Sequence, residues 1–438
     1  MRTYLATLIL AAAAIAQAPE TLPPVSIGDP VPATPVPTVT LPSPSAIPPV
    51  PASPDGFGTE LPPGTVVSPP MGTPPVVRPP TPVFGAQPEV PPGPIYWTGF
   101  DYLCWRAKGG PVVPLVSAVV GAPALANPLD ANMAFALSSD EINRGPFSGF
   151  RLTAGMWLDK PRGSGVEAVF MWFPQQTDTT TYTDAPGAAL ARPFLNARTG
   201  TPDLFQLSTP TGTVRGAAAV RSTLETEELE LNHLHRGNAM FSEEMYWVMG
   251  VRYWGLDESL TTEVTSRAGG VTATSFDTFT TRNRFYGLQL GPRLNFYRYN
   301  ISVTVGTKWA VGIMSEESDI RGGSSMLVPP GVRFDRQGGV LAQATNIGEY
   351  DRTKLAWLRD FSLSVGYCLS PGIVLRVGYD LLWVSNVLRP GGQIDPAVNP
   401  TLFPFGGAAP AGAFRPVQRF DGEVFWMHGV SLGLEVRF

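Results

Sequence analysis

The sequence contains little cysteine, histidine and charge. Its 438 residues include 2 cysteines and 3 histidines, and 15% of them are charged. After the N-terminus there is no run of about 18 apolar residues, so no membrane-spanning helix is predicted in the mature chain. The net charge of −5 is too mild to indicate nucleic acid or another strongly charged partner.

The same scarcity argues against metal and catalytic chemistry. His233 and His235 form a His-x-His pair, but no cysteine or third histidine lies close to them, so no metal site and no cofactor are predicted. A strand-borne Ser–His pair needs both side chains on one face, and Ser431 has the opposite parity to His428. The adjacent acids 257 and 258 are candidates for a paired-acid site, but charge at a hairpin is the simpler interpretation. We therefore predict no catalytic residues and no enzyme activity.

The first 94 residues predict export and a spacer. Residues 1–18 fit a secretory signal peptide, with Arg2 before an apolar core over residues 5–16 and a small-x-small cleavage pattern at its end. Residues 19–94 hold 26 of the 47 prolines, which excludes regular helix or sheet ladders and predicts a disordered periplasmic linker. Such a linker is a solvated spacer or a segment that contacts the cell wall or envelope proteins.

The C-terminal stretch, residues 424–438, has the clearest strand pattern. Apolar side chains occupy nearly every second position from Val424 to Phe438, with small or polar residues between them. A membrane β-strand needs roughly 9–11 residues, faces lipid and lumen alternately and carries interfacial aromatics. The stretch therefore predicts a membrane strand, and terminal Phe438 is interpreted as a signal to the barrel-assembly machinery.

Residues 95–438 as a whole predict an all-β fold. We expect a closed antiparallel up-and-down outer-membrane β-barrel of about ten strands, with twelve as the alternative, in contact with outer-membrane lipid. Alternation of connection lengths supports closure. Short turns are predicted near 159–164, 237–242, 291–295 and 369–372, and long polar loops near 107–146, 174–223, 315–350 and 386–422, with a shorter one at 267–275.

The inward face of the predicted barrel carries charges of both signs. The predicted lumen-lining residues are Asp101, Arg151, Glu167, Arg252, Lys308, Arg376, Asp380 and Glu435, and Glu228, Glu230 and Arg437 share their parity. Opposed charges predict either a narrow polar pathway for small solutes or a salt-bridge network that fills the lumen. About eight strands just hold side chains and wide channels need roughly 16–18, so ten strands lie near the filled end.

Several blocks of the chain match the pattern of a known family. They are FDYLCW from Phe100, RLTAGMWL from Arg151, GVRYWGLDE from Gly250, RPGGQID from Arg389 and FWMHGVSLGLEVRF from Phe425. Over residues 96–438 the chain resembles the planctomycete-type β-barrel porin family, formerly a domain of unknown function. Asp101 stands where the family pattern has Glu. The resemblance implies an outer-membrane barrel and little about activity.

Two functions follow as expectations. The first is a porin-like outer-membrane protein that acts as a narrow passive channel for small solutes. The alternative is a non-conducting structural or surface-interaction barrel whose external loops bind partners. A conducting lumen distinguishes the two.

Overall fold

The period-two segments of the sequence form ten antiparallel strands that close into a barrel, so the expected count of ten is confirmed over the alternative of twelve. The computed structural model describes residues 95–111, 113–120, 133–135, 145–159, 161–239, 242–407 and 409–438. The predicted signal peptide and proline-rich linker lie outside these residues. The barrel strands are β1 Tyr96–Ala107, β2 Phe147–Trp157, β3 Ser164–Thr183, β4 Arg215–Arg236, β5 Glu244–Ala268, β6 Val271–Arg298, β7 Ile301–Val328, β8 Gly348–Ser370, β9 Ile373–Leu388 and β10 Gly422–Arg437.

The first and last strands close the sheet. β1 and β10 are antiparallel, in a register that runs from Trp97 opposite Arg437 to Ala107 opposite Met427. The backbone N–H of Tyr96 donates to the carbonyl of Phe438 at 2.8 Å, and the two rings stack with centroids 5.8 Å apart. Closure pairs the backbone groups that an open sheet edge would leave exposed to lipid.

Shorter elements lie in the connections at one end of the barrel. Five short strands form a second sheet, in which the segment Ala188–Asn196 pairs with three of the others. The short strands are Ser117–Val120, Met133–Phe135, Ala188–Asn196, Pro202–Gln206 and Ala397–Val398, with 3-10 turns at Pro390–Gln393 and Pro400–Leu402. A further strand, Val332–Gln337, pairs with the end of β7. Within the described part of the chain, no helix is long and apolar enough to span a membrane.

The opposite end of the barrel has four short connections, as expected, but one of them was misplaced. The turn predicted at 291–295 is wrong, because β6 continues to Arg298 and the turn falls at residues 299–300. Gly291 and Pro292 keep their partners on β5, whereas the β6–β7 register passes over them. Proline lacks an N–H, so a ladder tolerates it where pairing on one side is interrupted.

The connections at the loop end are shorter than predicted. The expected loop at 267–275 is a two-residue turn, Gly269 and Gly270, whose φ values of 56° and 83° suit a tight hairpin. β3 reaches Thr183 and β7 reaches Val328, so much of the loops predicted at 174–223 and 315–350 is strand. Short and long connections therefore do not alternate without exception. These strand ends lack apolar alternation because their outward faces carry threonine and charge.

The strands differ greatly in length around the barrel. β6 and β7 have 28 residues each, whereas β1 has 12 and β2 has 11. At about 3.3 Å per residue, 28 residues extend roughly 90 Å, far more than a tilted bilayer crossing needs. Because the surplus lies at the loop end, β3 to β8 form a tall wall there, and the connections pack against it.

Candidate functional site

All eight predicted lumen residues line one chamber inside the barrel. The chamber has a volume of about 270 Å³ and lies toward the end with the short turns, where Trp97, Trp157 and Tyr246 also contribute to its lining. Outer-membrane barrels have their short turns on the periplasmic side. The chamber is therefore expected at the periplasmic end.

Arg252 is at the centre of the first group of charges. Its side chain is 2% exposed and donates to Glu228 on β4 at 2.7 Å and to Asp360 on β8 at 2.6 Å. Lys308 on β7 donates to Glu230 at 2.5 Å and lies 3.3 Å from Asp360. Because β5 and β8 are not neighbours in the sheet, the Arg252–Asp360 contact crosses the lumen.

A second group also crosses the lumen. Arg151 on β2 donates two hydrogen bonds to Asp380 on β9, at 2.8 and 3.2 Å. Arg376 donates to Glu435 at 2.6 Å and to Asp101 at 3.2 Å. The Arg151–Asp380 and Arg376–Asp101 pairs join strands that are not adjacent, whereas Arg376–Glu435 joins the neighbouring strands β9 and β10. The first two contacts therefore link separate parts of the barrel wall from inside.

Glu167 pairs with a residue that the sequence analysis did not single out. Arg293 donates to both of its carboxylate oxygens, at 2.6 and 2.9 Å. Arg293 was missed because it lies in the segment predicted as a turn. Asp360 was missed as well, although it has the same parity as the inward Ser362 and Ser364 on β8.

Gly433 leaves room for the Asp101 carboxylate. A Cβ atom at this position would clash with Asp101 Oδ1, and the carboxylate could move away only by disturbing its hydrogen bond from Arg376. We expect Gly433→Ala to lower the free energy of unfolding by about 1–3 kcal/mol through overpacking. Urea unfolding of the full chain refolded in detergent measures this. Gly306→Ala is the control, because its Cβ would meet a single rotatable hydroxyl, Ser362 Oγ, at 2.9 Å; equal losses in both variants would contradict the prediction.

On the loop side of the chamber the lumen is filled by an apolar layer. Every barrel strand contributes to this layer of buried side chains. Trp254, Phe285 and Phe425 are fully buried members, and the ring centroids of Trp254 and Phe425 lie 5.8 Å apart. The other members are Leu103, Trp105, Ala107, Phe147, Met171, Phe173, Leu224, Leu256, Ala310, Met314, Ala356, Leu358, Leu382, Val384, Val387 and Met427. Leu103 and Trp105 alternate with outward residues in the same way as Asp101, which the sequence placed inside, but this pattern did not predict that they belong to a continuous layer.

A buried ion pair lies next to the apolar layer and connects the β9–β10 loop to the wall. Arg389 and Glu258 are 1% and 3% exposed, and the Arg389 Nη2 atom donates to Glu258 at 2.7 Å. Arg389 also donates to the carbonyl of Lys108 at 3.2 Å and to Glu423 at 3.3 Å. One guanidinium therefore joins β5, the β1–β2 loop and the start of β10.

Beyond this pair, the loops pack on the inner face of the tall wall as an outer loop assembly with its own apolar core. Wall residues such as Phe279 and Ile320 are buried with loop residues such as Leu190 and Phe194. The buried pair Arg192–Asp277 joins the second sheet to β6. Backbone N–H groups from the β7–β8 connection also donate to Asp277. The loop residues therefore share one apolar core with the inner face of the wall.

The candidate catalytic residues do not come together. Asp257 faces outward and pairs with Arg284 at 2.6 Å, whereas Glu258 faces inward to Arg389, so the two acids lie on opposite faces. The His428 ring hydrogen-bonds the Tyr379 hydroxyl at 2.8 Å on the outward face. Among the described residues, no group of three or more His, Cys, Asp or Glu side chains could hold a metal ion.

The fold and the inward charges define the class of this protein: an outer-membrane β-barrel of ten strands. The family model described as Putative beta barrel porin-7 (BBP7) matches residues 97–438. The chain therefore belongs to this family, as the resemblance of its sequence blocks implied. No curated protein matches the chain.

Solved structures of outer-membrane proteins share a distant likeness with the chain. The outer membrane protease OmpT from Escherichia coli is 7% identical with a TM-score of 0.34, and the match covers 78% of this chain and 97% of that one. The toluene transporter TodX of P. putida is 9% identical with a TM-score of 0.19, covering 78% and 90%. A FadL homologue of Pseudomonas aeruginosa is 8% identical with a TM-score of 0.20, covering 79% and 90%. Scores this low support no inference about activity.

Proposed function

We propose that the protein is an outer-membrane barrel closed to passive diffusion, whose outer loop assembly contacts partners outside the cell. The observation that supports this proposal is the apolar layer, to which all ten strands contribute. Of the two expected functions, the non-conducting surface-interaction barrel therefore fits the geometry better than the narrow passive channel.

The apolar layer is expected to exclude water and ions. Water enters a buried space only where polar partners and sufficient room are available, and a hydrophobic constriction stops conduction by dewetting. Trp254, Phe285 and Phe425 are fully buried, and the indole N–H of Trp254 is the one polar group that these three side chains could offer to water. The charged chamber is then a blind pocket, because its polar lining ends at this layer.

The outer loop assembly suits an interaction role. Binding residues are often placed on loops that a rigid scaffold positions, and these loops are held by an apolar core and by the buried pairs of Arg192 and Arg389. A packed assembly presents the same surface to each partner, so binding does not require ordering of the loops first.

Single-channel recording tests the closed state. We expect the full chain, refolded and inserted in a planar bilayer, to produce no steady ohmic steps. Lys308→Ala, which removes a positive charge from the chamber, should likewise produce no steady current steps. Heat-modifiable migration on gels confirms that each inserted sample is a folded barrel. Steady steps from the wild-type chain, shifted in ion selectivity by Lys308→Ala, would overturn the proposal.

A gated channel is the second candidate. Family membership and the charged chamber favour it, since the chamber would be the periplasmic half of a polar pathway. This function requires the apolar layer and the outer loop assembly to move. Conductance that appears in the wild-type chain only after a voltage step or an added solute would favour the gated channel over the closed barrel.

The remaining partners stay predictions. The Phe438 side chain is 65% exposed at the turn end, which suits recognition by the barrel-assembly machinery. Contact of residues 19–94 with the cell wall or envelope proteins, and export by the signal peptide, concern residues outside the described part of the chain.

A further inference from the structure

One charged side chain lies in an otherwise apolar row on the outward face of β8. This row consists of Leu355, Trp357, Arg359, Phe361, Leu363, Val365 and Tyr367. All of its members are exposed on the outer surface of the barrel. In an outer-membrane barrel this surface faces lipid, where a charged side chain is unfavourable unless it is compensated.

Aromatic rings surround Arg359 on all sides. Its direct cross-strand partners are Trp309 on β7 and Trp383 on β9, and its neighbours along β8 are Trp357 and Phe361. The guanidinium lies 5.0 Å from the centroid of the Trp309 ring. A cation–π contact attracts the cation but does not neutralise its charge.

Arg359 also differs from Arg282 and Arg284, two outward arginines of β6. Arg282 pairs with Glu317 at 2.9 Å and Arg284 pairs with Asp257 at 2.6 Å. Arg359 forms no ion pair within the described part of the chain. Its charge is therefore available to a group outside the protein.

The position of Arg359 brings a lipid headgroup within its reach. Trp383 is the last outward residue of β9 before the register shift between Val384 and Val387. The Asn386 amide of that bulge donates to the carbonyl of Leu355 at 2.9 Å, so on β9 polar surface begins just beyond Trp383 toward the loop end, while the outward positions of β8 stay apolar as far as Leu355. Long basic side chains extend toward such an edge, and tryptophan is enriched at headgroup level.

We propose that Arg359, together with Trp309, Trp357 and Trp383, binds the phosphate of an anionic lipid in the leaflet at the loop end. The guanidinium fork matches phosphate oxygens with two charge-assisted hydrogen bonds. The exposed tryptophans, 60%, 47% and 40% exposed for residues 309, 357 and 383, pack against the lipid around the headgroup. Phosphate is the anion that the membrane itself supplies at this depth.

Native mass spectrometry of the full chain in nonionic detergent tests the proposal. The probes are dioleoyl phosphatidylglycerol, diphosphorylated lipid A, and dioleoylglycerol, which has no phosphate. We expect at least one phosphate-bearing lipid to be retained and dioleoylglycerol not to be. Arg359→Gln should weaken retention by about tenfold, the loss of a charge-assisted contact, and Arg359→Lys should weaken it less.

The matched control is Arg282→Gln, which removes an exposed outward arginine nearer the loop end. Retention in this control should equal that of the wild-type chain. Equal retention in wild type and Arg359→Gln would overturn the proposal. A dimer that forms in wild type and disappears in Arg359→Gln, with no lipid retained, would identify a second copy as the partner and would also overturn it. So would full displacement of the lipid by millimolar inorganic phosphate, since that would indicate a site for free anions.

Discussion

Arg252→Met is expected to lower the free energy of unfolding of the barrel by about 3–5 kcal/mol. Glu228 is 5% exposed and its ion pair is with Arg252, so the substitution leaves a buried carboxylate without a cation. Asp360 and Glu230 keep Lys308 as a cationic partner, so Glu228 is the one acid that loses its cation. Methionine roughly keeps the volume of the arginine stem, so the effect reports charge and not a cavity.

Urea unfolding of the full chain in detergent, followed by heat-modifiable migration, measures the effect. The double variant Arg252→Met with Glu228→Gln removes both charges of the pair. It should recover most of the lost free energy of unfolding, because no buried charge is left without a partner. Arg333→Gln is the control: its pair with Asp335 is 66% and 63% exposed, and it should change stability by less than about 0.5 kcal/mol. If the double variant were no more stable than Arg252→Met, the network would not be acting through charge pairing.

The sequence predicts much of this fold because lipid imposes a simple rule on each strand. Outside positions must be apolar and inside positions need not be, so parity alone placed Asp101, Arg151 and Arg376 in the lumen. The same rule explains the errors. Beyond the bilayer the outward face of β6 becomes polar, so apolar and polar residues no longer alternate along the strand. A strand of this kind is mistaken for a loop.

Parity also says nothing about the height of a residue in the barrel or its partner across the lumen. Arg252 and Asp360 come together because the barrel curves, and no spacing along the chain encodes that contact. Phe425 was counted among the small or polar positions of its strand and Phe285 was not assigned, because each strand contributes only a few apolar residues to the layer. The layer exists only when ten such contributions meet at one level.

The second large change in stability is expected at the buried pair of Arg389 and Glu258, which holds the β9–β10 loop on the barrel wall. We expect Arg389→Met to lower the free energy of unfolding by about 3–5 kcal/mol, because Glu258 is 3% exposed and loses its cation. The contacts of Arg389 with the Lys108 carbonyl and Glu423 are lost at the same time. The β9–β10 loop should therefore separate from the wall before the barrel unfolds.

Limited digestion with proteinase K measures that separation, since cleavage of a transiently open segment reports the population of the open form. In Arg389→Met, cleavage should fall within residues 389–421 while the barrel keeps its heat-modifiable migration. Arg419→Gln is the matched control in the same loop, because its pair with Asp421 is 39% and 56% exposed and holds no buried acid. Protection should return in Arg389→Met with Glu258→Gln, because the buried charge is then absent. Equal cleavage of Arg389→Met and Arg419→Gln would instead mean that the apolar core alone holds the loop, and that the outer loop assembly does not depend on its buried ion pair.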